Sequence, residues 1–348
     1  MTISYLRAAA FTAALFAAAP VDAQAGRDSR AVVIARKIAN PTGGVIVVAH
    51  RGCHNPAPRH GRGSTPENSL TALDQCIAIG VDVMETDVRR SRDGYLVMIH
   101  DDTVDRTTDG HGRVADLTLA QLRALRLREN EGGAATASTD QRIVTLDEML
   151  THGRGKIIFN LDVKDAIYGE VAAAVKQSGD VGQVIVKNYA GIASPLLGDV
   201  APYNATPFIA MLSSGAADGL DLSIVLAQQS AAVHRPVAYE VPRMPSSALP
   251  MLAQAARTAG ARLWANSLWE GFVTGFGGDL DALRDPDAVW GRLYRGGVSM
   301  IQTDEPEALV AYEKRRDPNR PVCEQRPLRL QAPTATRKPH LEHRRECL

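Results

Sequence analysis

The sequence has no excess of charge of either sign: across 348 residues, 39 Lys and Arg face 39 Asp and Glu. Domains that bind nucleic acid as a rule carry a basic excess, so no polynucleotide partner is expected, although a local basic pocket for one phosphate is not excluded. Past the N-terminus there is no apolar run long enough to cross about 30 Å of hydrocarbon, so no stable membrane insertion is expected. No GxGxxG follows the first candidate strand, which removes the usual dinucleotide fingerprint. The four cysteines, Cys53, Cys76, Cys323 and Cys347, have neither CxxC spacing nor a Cys/His pattern that suggests zinc. No internal repeat is evident.

What is present begins at the N-terminus. Arg7 precedes an apolar run from Ala8 to Ala19, and Ala23-Gln24-Ala25 places small residues two apart. This is the pattern of a bacterial secretory signal over residues 1–25, cleaved near Gly26; an uncleaved anchor is the alternative. The mature protein is then expected to be periplasmic or secreted. Export permits disulfides. Sequence alone does not choose among the three full pairings, with a mild preference for Cys323 and Cys347, which would staple the tail. Residues 26–43 read as a lead-in, 44–316 as the catalytic domain, and 317–348 as a Pro- and Arg-rich extension of disordered composition. Oligomeric state is not readable.

Short apolar runs alternate with amphipathic helical stretches. The candidate strands are 45–49, 82–88, 96–99, 156–162, 184–187, 207–211, 236–240, 262–266 and 298–302. Helical patterns fall at 69–79, 166–176, 247–259 and 305–314. Strands rich in β-branched residues separated by helices predict parallel β/α units. Eight or so of them over about 250 residues fit a closed (β/α)8 TIM barrel, with an open doubly wound sheet as the alternative. Residues 53–64 form a long loop carrying Arg59, His60 and Arg62, either an attractor for an anionic head group or a solvated face. Residues 129–140, rich in Gly, Ala, Thr and Ser, predict a flexible loop.

Polar residues that are costly in a core collect at the ends of these strands. His50 and Arg51 follow the first. Glu85 and Asp87, two apart, point to one face of the second. His100 and Asp101 end the third, and Asp162 and Lys164 repeat the two-apart spacing in the next. The C-terminal ends of barrel strands are where chemistry sits, and they bring residues remote in sequence together. Three carboxylates suit a hard divalent cation, Mg2+ or Ca2+. Arg51 offers a forked donor to phosphate oxygens and Lys164 a point charge. Two histidines can act as base and acid near neutral pH. Taken singly, each has a structural reading: a strand-end histidine satisfied in place, or Arg51 paired with Glu85. Taken together they fit phosphodiester cleavage better than acyl transfer.

The motifs then become recognisable. His50-Arg51-Gly52, Pro66-Glu67-Asn68-Ser69, Glu85-Thr86-Asp87-Val88, Asp93-Gly94 leading to His100-Asp101, Arg106-Thr107-Thr108, Asp162-Val163-Lys164, Trp264-Ala265-Asn266 and Gly297 through Thr303-Asp304-Glu305-Pro306 follow in order. Over about Val45 to Val310 the chain resembles the glycerophosphodiester phosphodiesterase family, a TIM-barrel family of phosphoric diester hydrolases. The resemblance implies His50 and His100 as acid and base, and Glu85, Asp87 and Asp162 as ligands of one divalent cation. At the third ligand, Asp replaces the usual Glu. It implies Arg51 and Lys164 on the phosphate, and Glu67 and Asn68 as an extra ligand or a brace, with Glu67 the stronger candidate ligand. Residues 103–117 occupy the place of the family's site-covering insertion.

Trp264, Glu240 and Lys187 are candidate pocket residues, and Trp264, Trp269 and Phe272 a candidate apolar wall. The leading expectation is hydrolysis of small glycerophosphodiesters to glycerol phosphate and an alcohol, by direct attack of water or through a cyclic phosphate. The alternatives are phospholipase-D-like cleavage of (lyso)phospholipid diesters, hydrolysis of other alkyl or sugar diesters, and a secreted binding protein without turnover.

Overall fold

A computed structural model of the protein describes residues 28–54, 65–215, 219 and 221–316. The expected signal segment, most of the 53–64 loop and the tail with Cys323 and Cys347 lie outside the described residues. Nine strands occur among those described: β1 (Ile46–Ala49), β2 (Val83–Arg90), β3 (Leu96–Met98), β4 (Ile158–Val163), β5 (Val184–Ala190), β6 (Phe208–Leu212), β7 (Ala238–Glu240), β8 (Arg262–Asn266) and β9 (Met300–Thr303). Their order is β1-β9-β8-β7-β6-β5-β4-β2-β3, and β1 also pairs with β2. All pairings are parallel except β2 with β3. Eight parallel strands thus close into the expected TIM barrel.

One expected barrel strand stands outside the ring. β3 turns back antiparallel on the end of β2, pairing Met98 with Val88 and Leu96 with Arg90. The reason is local. Only Ser91 to Tyr95 separate the two strands, a gap that suits a hairpin, whereas a parallel crossover needs a dozen residues or more. The turn is held by Ser91, whose hydroxyl accepts from the Tyr95 amide at 2.9 Å. Because β3 runs back toward the barrel, Ile99 N donates to Asp87 O at 3.0 Å and His100 follows directly beside the barrel mouth.

Continuous burial along β1, β6 and β8 reflects cover on both faces. Outward side chains such as Val47, Met84, Phe159 and Leu161 pack on the helices. Inward side chains form layers. The lower layer is apolar: Ile46, Val83, Ile158, Ile185, Ile209, Ala238 and Met300. It is closed from below by the helix Arg30–Ala39, whose Ala31, Ile34 and Ile38 fall on one face. Arg262 is fully buried there and donates to the carbonyls of Lys37, Ile38 and Asn40, satisfying the exposed end of that helix. The stretch read as a lead-in is therefore the floor of the barrel.

The segment between β2 and β4 carries a small core of its own, built on Val97, Ile99, Val104, Val114, Leu122, Leu127 and Ile143. Residues 103–117 belong to this cap. The 129–140 segment, expected to be flexible, is instead tied down. Gly133 N donates to Arg106 O at 2.7 Å, Glu129 N to Ala137 O at 2.9 Å, and Arg128 Nη1 to Thr136 O at 2.8 Å. Gly132 has φ +75°, and a Cβ there would lie 2.2 Å from Arg106 O, so its glycines serve close packing as well as turning. Among the described residues no helix is long and apolar enough to cross a membrane.

Candidate functional site

The site grows from strand register. Ala49 pairs with Thr303, so the next residues of the two strands, His50 and Asp304, meet: His50 Nδ1 lies 2.8 Å from Asp304 Oδ1. Asp87 pairs with Asp162, and Glu85 lies two residues back on the same face. Ligand atoms of Glu85, Asp87 and Asp162 all lie within 4.8 Å of one another. On the cap side, His100 Nδ1 lies 2.7 Å from Asp101 Oδ1. The sequence-predicted histidines and carboxylates thus converge at one end of the barrel.

The backbone around them is constrained. Arg51 (φ 52°), Asn68 (φ 54°) and Asn130 (φ 54°) are the non-glycine residues with left-handed backbone among those described. They are linked: Asn68 N donates to Arg51 O at 2.9 Å, and Asn130 O accepts from Glu67 N at 2.9 Å. Such strain tends to collect at functional sites. Arg51 N donates to Glu85 Oε2 at 2.9 Å. Gly52 follows with φ +86°, and a Cβ there would meet Met84 Cε at 2.7 Å, which explains the glycine of the His-Arg-Gly motif.

Asn68 serves Asp87. Its Oδ1 accepts from Asp87 N at 3.0 Å and from Thr86 Oγ1 at 2.6 Å, while its Nδ2 donates to Asp87 Oδ2 at 2.9 Å. Glu67, expected as an extra ligand, is a brace. Its carboxylate is taken by two arginines, Arg106 at 2.8 Å to each oxygen and Arg51 at 3.0 Å, and such bidentate pairing leaves little for a metal. Arg106 also holds Asp101 through Nε at 2.8 Å and Nη2 at 2.9 Å. The guanidinium of Arg51 therefore pairs with Glu67 rather than Glu85.

Lys164 and Lys187 lie among the carboxylates. Lys164 Nζ is 3.0 Å from Asp87 and 2.8 Å from Asp162. Lys187 Nζ is 3.4 Å from Asp162, 3.5 Å from Glu240 and 3.8 Å from Glu85. Trp264 is not a pocket wall. It is fully buried in the barrel interior, 5.8 Å beneath Lys187, with its Nε1 donating to Asn266 Oδ1 at 2.8 Å. An inward position one step below the mouth leaves a large ring no route to solvent. Glu240 and Lys187 are likewise buried, and they floor the site. Trp269, by contrast, is exposed and stacks edge-on against Phe272 at 4.6 Å.

The electrostatics follow from this crowding. Burial and the neighbouring Asp87 raise the Glu85 carboxyl above its ordinary value, against Lys187 and His50. Asp87 goes the other way: burial is outweighed by Lys164, His100 and Arg51. For Asp162, burial is outweighed by Lys187 and Lys164. Burial lowers the His50 imidazole, but the Asp304 carboxylate and its hydrogen bond outweigh that and leave it raised. Hydrogen bonds from His100 and Arg106 hold Asp101 well below the usual carboxylate range. Seven carboxylates (Glu67, Glu85, Asp87, Asp101, Asp162, Glu240, Asp304) face four permanent cations (Arg51, Arg106, Lys164, Lys187). That deficit, the raised Glu85 and an all-oxygen donor set fit a hard divalent cation.

A family model for glycerophosphoryl diester phosphodiesterases matches residues 50–264. The chain belongs to that family. The glycerophosphodiester phosphodiesterase of Caldanaerobacter subterraneus subsp. tengcongensis is 26% identical over 272 residues, covering 76% of this chain and 96% of that protein. The crystal structure of the Agrobacterium tumefaciens glycerophosphodiester phosphodiesterase matches with TM-score 0.55 and 25% identity, covering 77% of this chain and 99% of that one. The Parabacteroides distasonis glycerophosphoryl diester phosphodiesterase matches in fold with TM-score 0.58 and 23% identity, over 82% of this chain and 88% of that one. This chain is accordingly a phosphoric diester hydrolase of the TIM-barrel type.

Four residues of the site received no role from sequence. Asp101, Arg106 and Asp304 stand inside recognised motifs, so their positions were visible while their partners were not. His54 had no signal at all beyond its place four residues after His50. Of the pairings open to the four cysteines, Cys53 and Cys76 are bonded, tying the loop after His50 to the helix Leu70–Ile79.

Proposed function

We propose that the protein hydrolyses small glycerophosphodiesters to glycerol phosphate and an alcohol, with one divalent cation, Mg2+ or Ca2+, held by Glu85, Asp87 and Asp162. The observation that carries this reading is the pairing of two histidines, each with Nδ1 on an aspartate, at the same end of the barrel as that group of carboxylates. His50 adds to the charge that opposes the rise of the Glu85 carboxyl, and His100 to the charge that lowers Asp87, so each imidazole stands close to the group.

Held by these three carboxylates, a divalent cation would supply charge to offset that developing on a phosphoryl oxygen. Asp304 and Asp101 fix Nδ1 of each ring and leave Nε2 to exchange protons with the substrate. One histidine takes the proton of the attacking hydroxyl, and the other protonates the departing alkoxide. Arg51, held beside the site by Glu67, and Lys164, held by Asp87 and Asp162, would supply positive charge to the phosphate oxygens.

The test is direct. Purified protein with Mg2+ or Ca2+ should hydrolyse glycerophosphocholine or a related diester, and no turnover on a broad diester panel overturns the reading. Phosphorus NMR separates the two routes, since a cyclic phosphate marks attack by a substrate hydroxyl. Exposed Trp269, packed on half-buried Phe272, favours one second reading, cleavage of lysophospholipids. A higher rate on lysophosphatidylcholine than on glycerophosphocholine would establish it. The buried Cys53–Cys76 bond supports the export inferred from residues 1–25, because disulfides persist in oxidising compartments. Mature protein beginning near Gly26 in the periplasm is the expected finding, and an intact N-terminus on cytosolic protein would refute it.

A further inference from the structure

Beside the carboxylate group lies a second cluster of different chemistry. His50, His54, Glu131 and Asp304 each offer one ligand atom, all within 4.8 Å of one another. His54 Nε2 stands 3.6 Å from Asp304 Oδ1, while His50 Nδ1 is 2.8 Å from the same oxygen. His54 is 1% exposed, yet among the described residues neither of its ring nitrogens has a partner within hydrogen-bond distance. A buried imidazole with both nitrogens unsatisfied is costly unless something occupies the site. Its position is fixed from both directions. Cys53, one residue before it, is bonded to Cys76, and the loop bearing Glu131 is pinned by Arg106 through the Glu131 carbonyl.

We propose that His50, His54 and Asp304, with Glu131 from the cap, form a second metal site that takes a borderline transition ion such as Zn2+ and switches the hydrolase off. The donor set argues for the ion. Two imidazoles and carboxylates suit Zn2+, which is commonly four-coordinate, whereas the all-carboxylate group suits a hard cation. The switch follows from His50 and rests on the proposed acid/base role. An imidazole bound to metal through Nδ1 keeps its remaining proton on Nε2, so it has no lone pair to accept another. It is also far too weak an acid to give that proton up. Binding to neutral His50 moves its one proton from Nδ1 to Nε2, binding to the doubly protonated ring releases the Nδ1 proton to solvent, and either way the hydrogen bond to Asp304 is lost.

The experiment uses the mature enzyme saturated with Mg2+ or Ca2+, with Co2+ as a spectroscopic probe and Zn2+ as the inhibitor. Wild type should gain the visible absorption of low-coordinate Co2+ at one equivalent and lose activity with Zn2+. His54→Ala should lack the cobalt band, and its own turnover should need on the order of tenfold or more Zn2+ for half-inhibition, since even outer partners of a metal site contribute that much affinity. Glu131→Gln, at an exposed side chain, tests the same site with little risk to the fold and should weaken both readouts less. An unchanged cobalt band and unchanged Zn2+ response in both variants overturn the proposal, as does a wild type without the band. The two readings fail separately. A cobalt band that depends on His54 in a protein inert on every diester keeps the site and removes the hydrolase, whereas turnover without the band does the reverse.

Discussion

The two histidine–aspartate pairs are alike in contact and unlike in everything around them. His50 and Asp304 are 254 residues apart in sequence and meet because β1 and β9 are neighbours in the closed ring. Their side chains are 10% and 15% exposed. His100 and Asp101 are adjacent residues on the cap, 32% and 27% exposed, and Arg106 ties them to Glu67. Asp304 is braced in turn: its amide donates to buried Asp279 at 2.7 Å, and Asp279 accepts from Ser267 Oγ at 2.6 Å. The barrel therefore builds a deep, preorganised pair, and the cap a shallow pair that water can reach. Interactions in the drier setting are electrostatically stronger, so the same chemistry should depend more on its partner there.

Removing either ring tests whether both pairs take part in the chemistry. His50→Ala and His100→Ala should each lower kcat/KM by roughly 10²–10⁴-fold, the usual contribution of a positioned acid or base, with an unchanged circular dichroism spectrum. Near-normal turnover in one variant would take that pair out of the chemistry and leave its partner alone. Asp87→Ala removes one carboxylate of the proposed cation group and should weaken Mg2+ or Ca2+ binding by about 10–100-fold or more, read by calorimetry. Unchanged affinity would strike Asp87 from the ligand set.

The deep pair also marks what could be read from sequence. Periodicity placed all nine strands, and the two-apart spacing of Glu85 and Asp87 put both on one face, because those signals are local. Register is not local: nothing near His50 points to Asp304, which needs the ring closed before the two can meet. Burial is equally collective. Glu67 looked like a ligand until Arg51 and Arg106 were seen to claim its carboxylate, and Trp264 looked like a wall until the inward layer placed it under Lys187. β3 was misplaced for the opposite reason, since its pattern suits a barrel strand and only the short gap after β2 makes it a hairpin. The 129–140 composition suggested mobility, but its glycines allow close approach to the Arg106 carbonyl.

Removing the partner carboxylates separates the pairs most sharply. Asp304→Asn should lower kcat/KM on the order of 10²-fold, because the buried ring loses its orienting acceptor and its compensating charge. Asp101→Asn should cost less than about tenfold, since water can replace a half-exposed partner. The pH profile then gives the sign. In the wild type, burial lowers the His50 value, and Asp304 more than offsets it. Without that carboxylate, burial and Arg51 act against Glu85 alone, so the His50 value must fall. If His50 is the base, it works unprotonated, and the acid limb of the profile moves to lower pH. If it is the acid, the alkaline limb moves in the same direction instead. The limb that shifts in Asp304→Asn therefore assigns the role, and a profile that does not move at all removes Asp304 as the partner that sets His50.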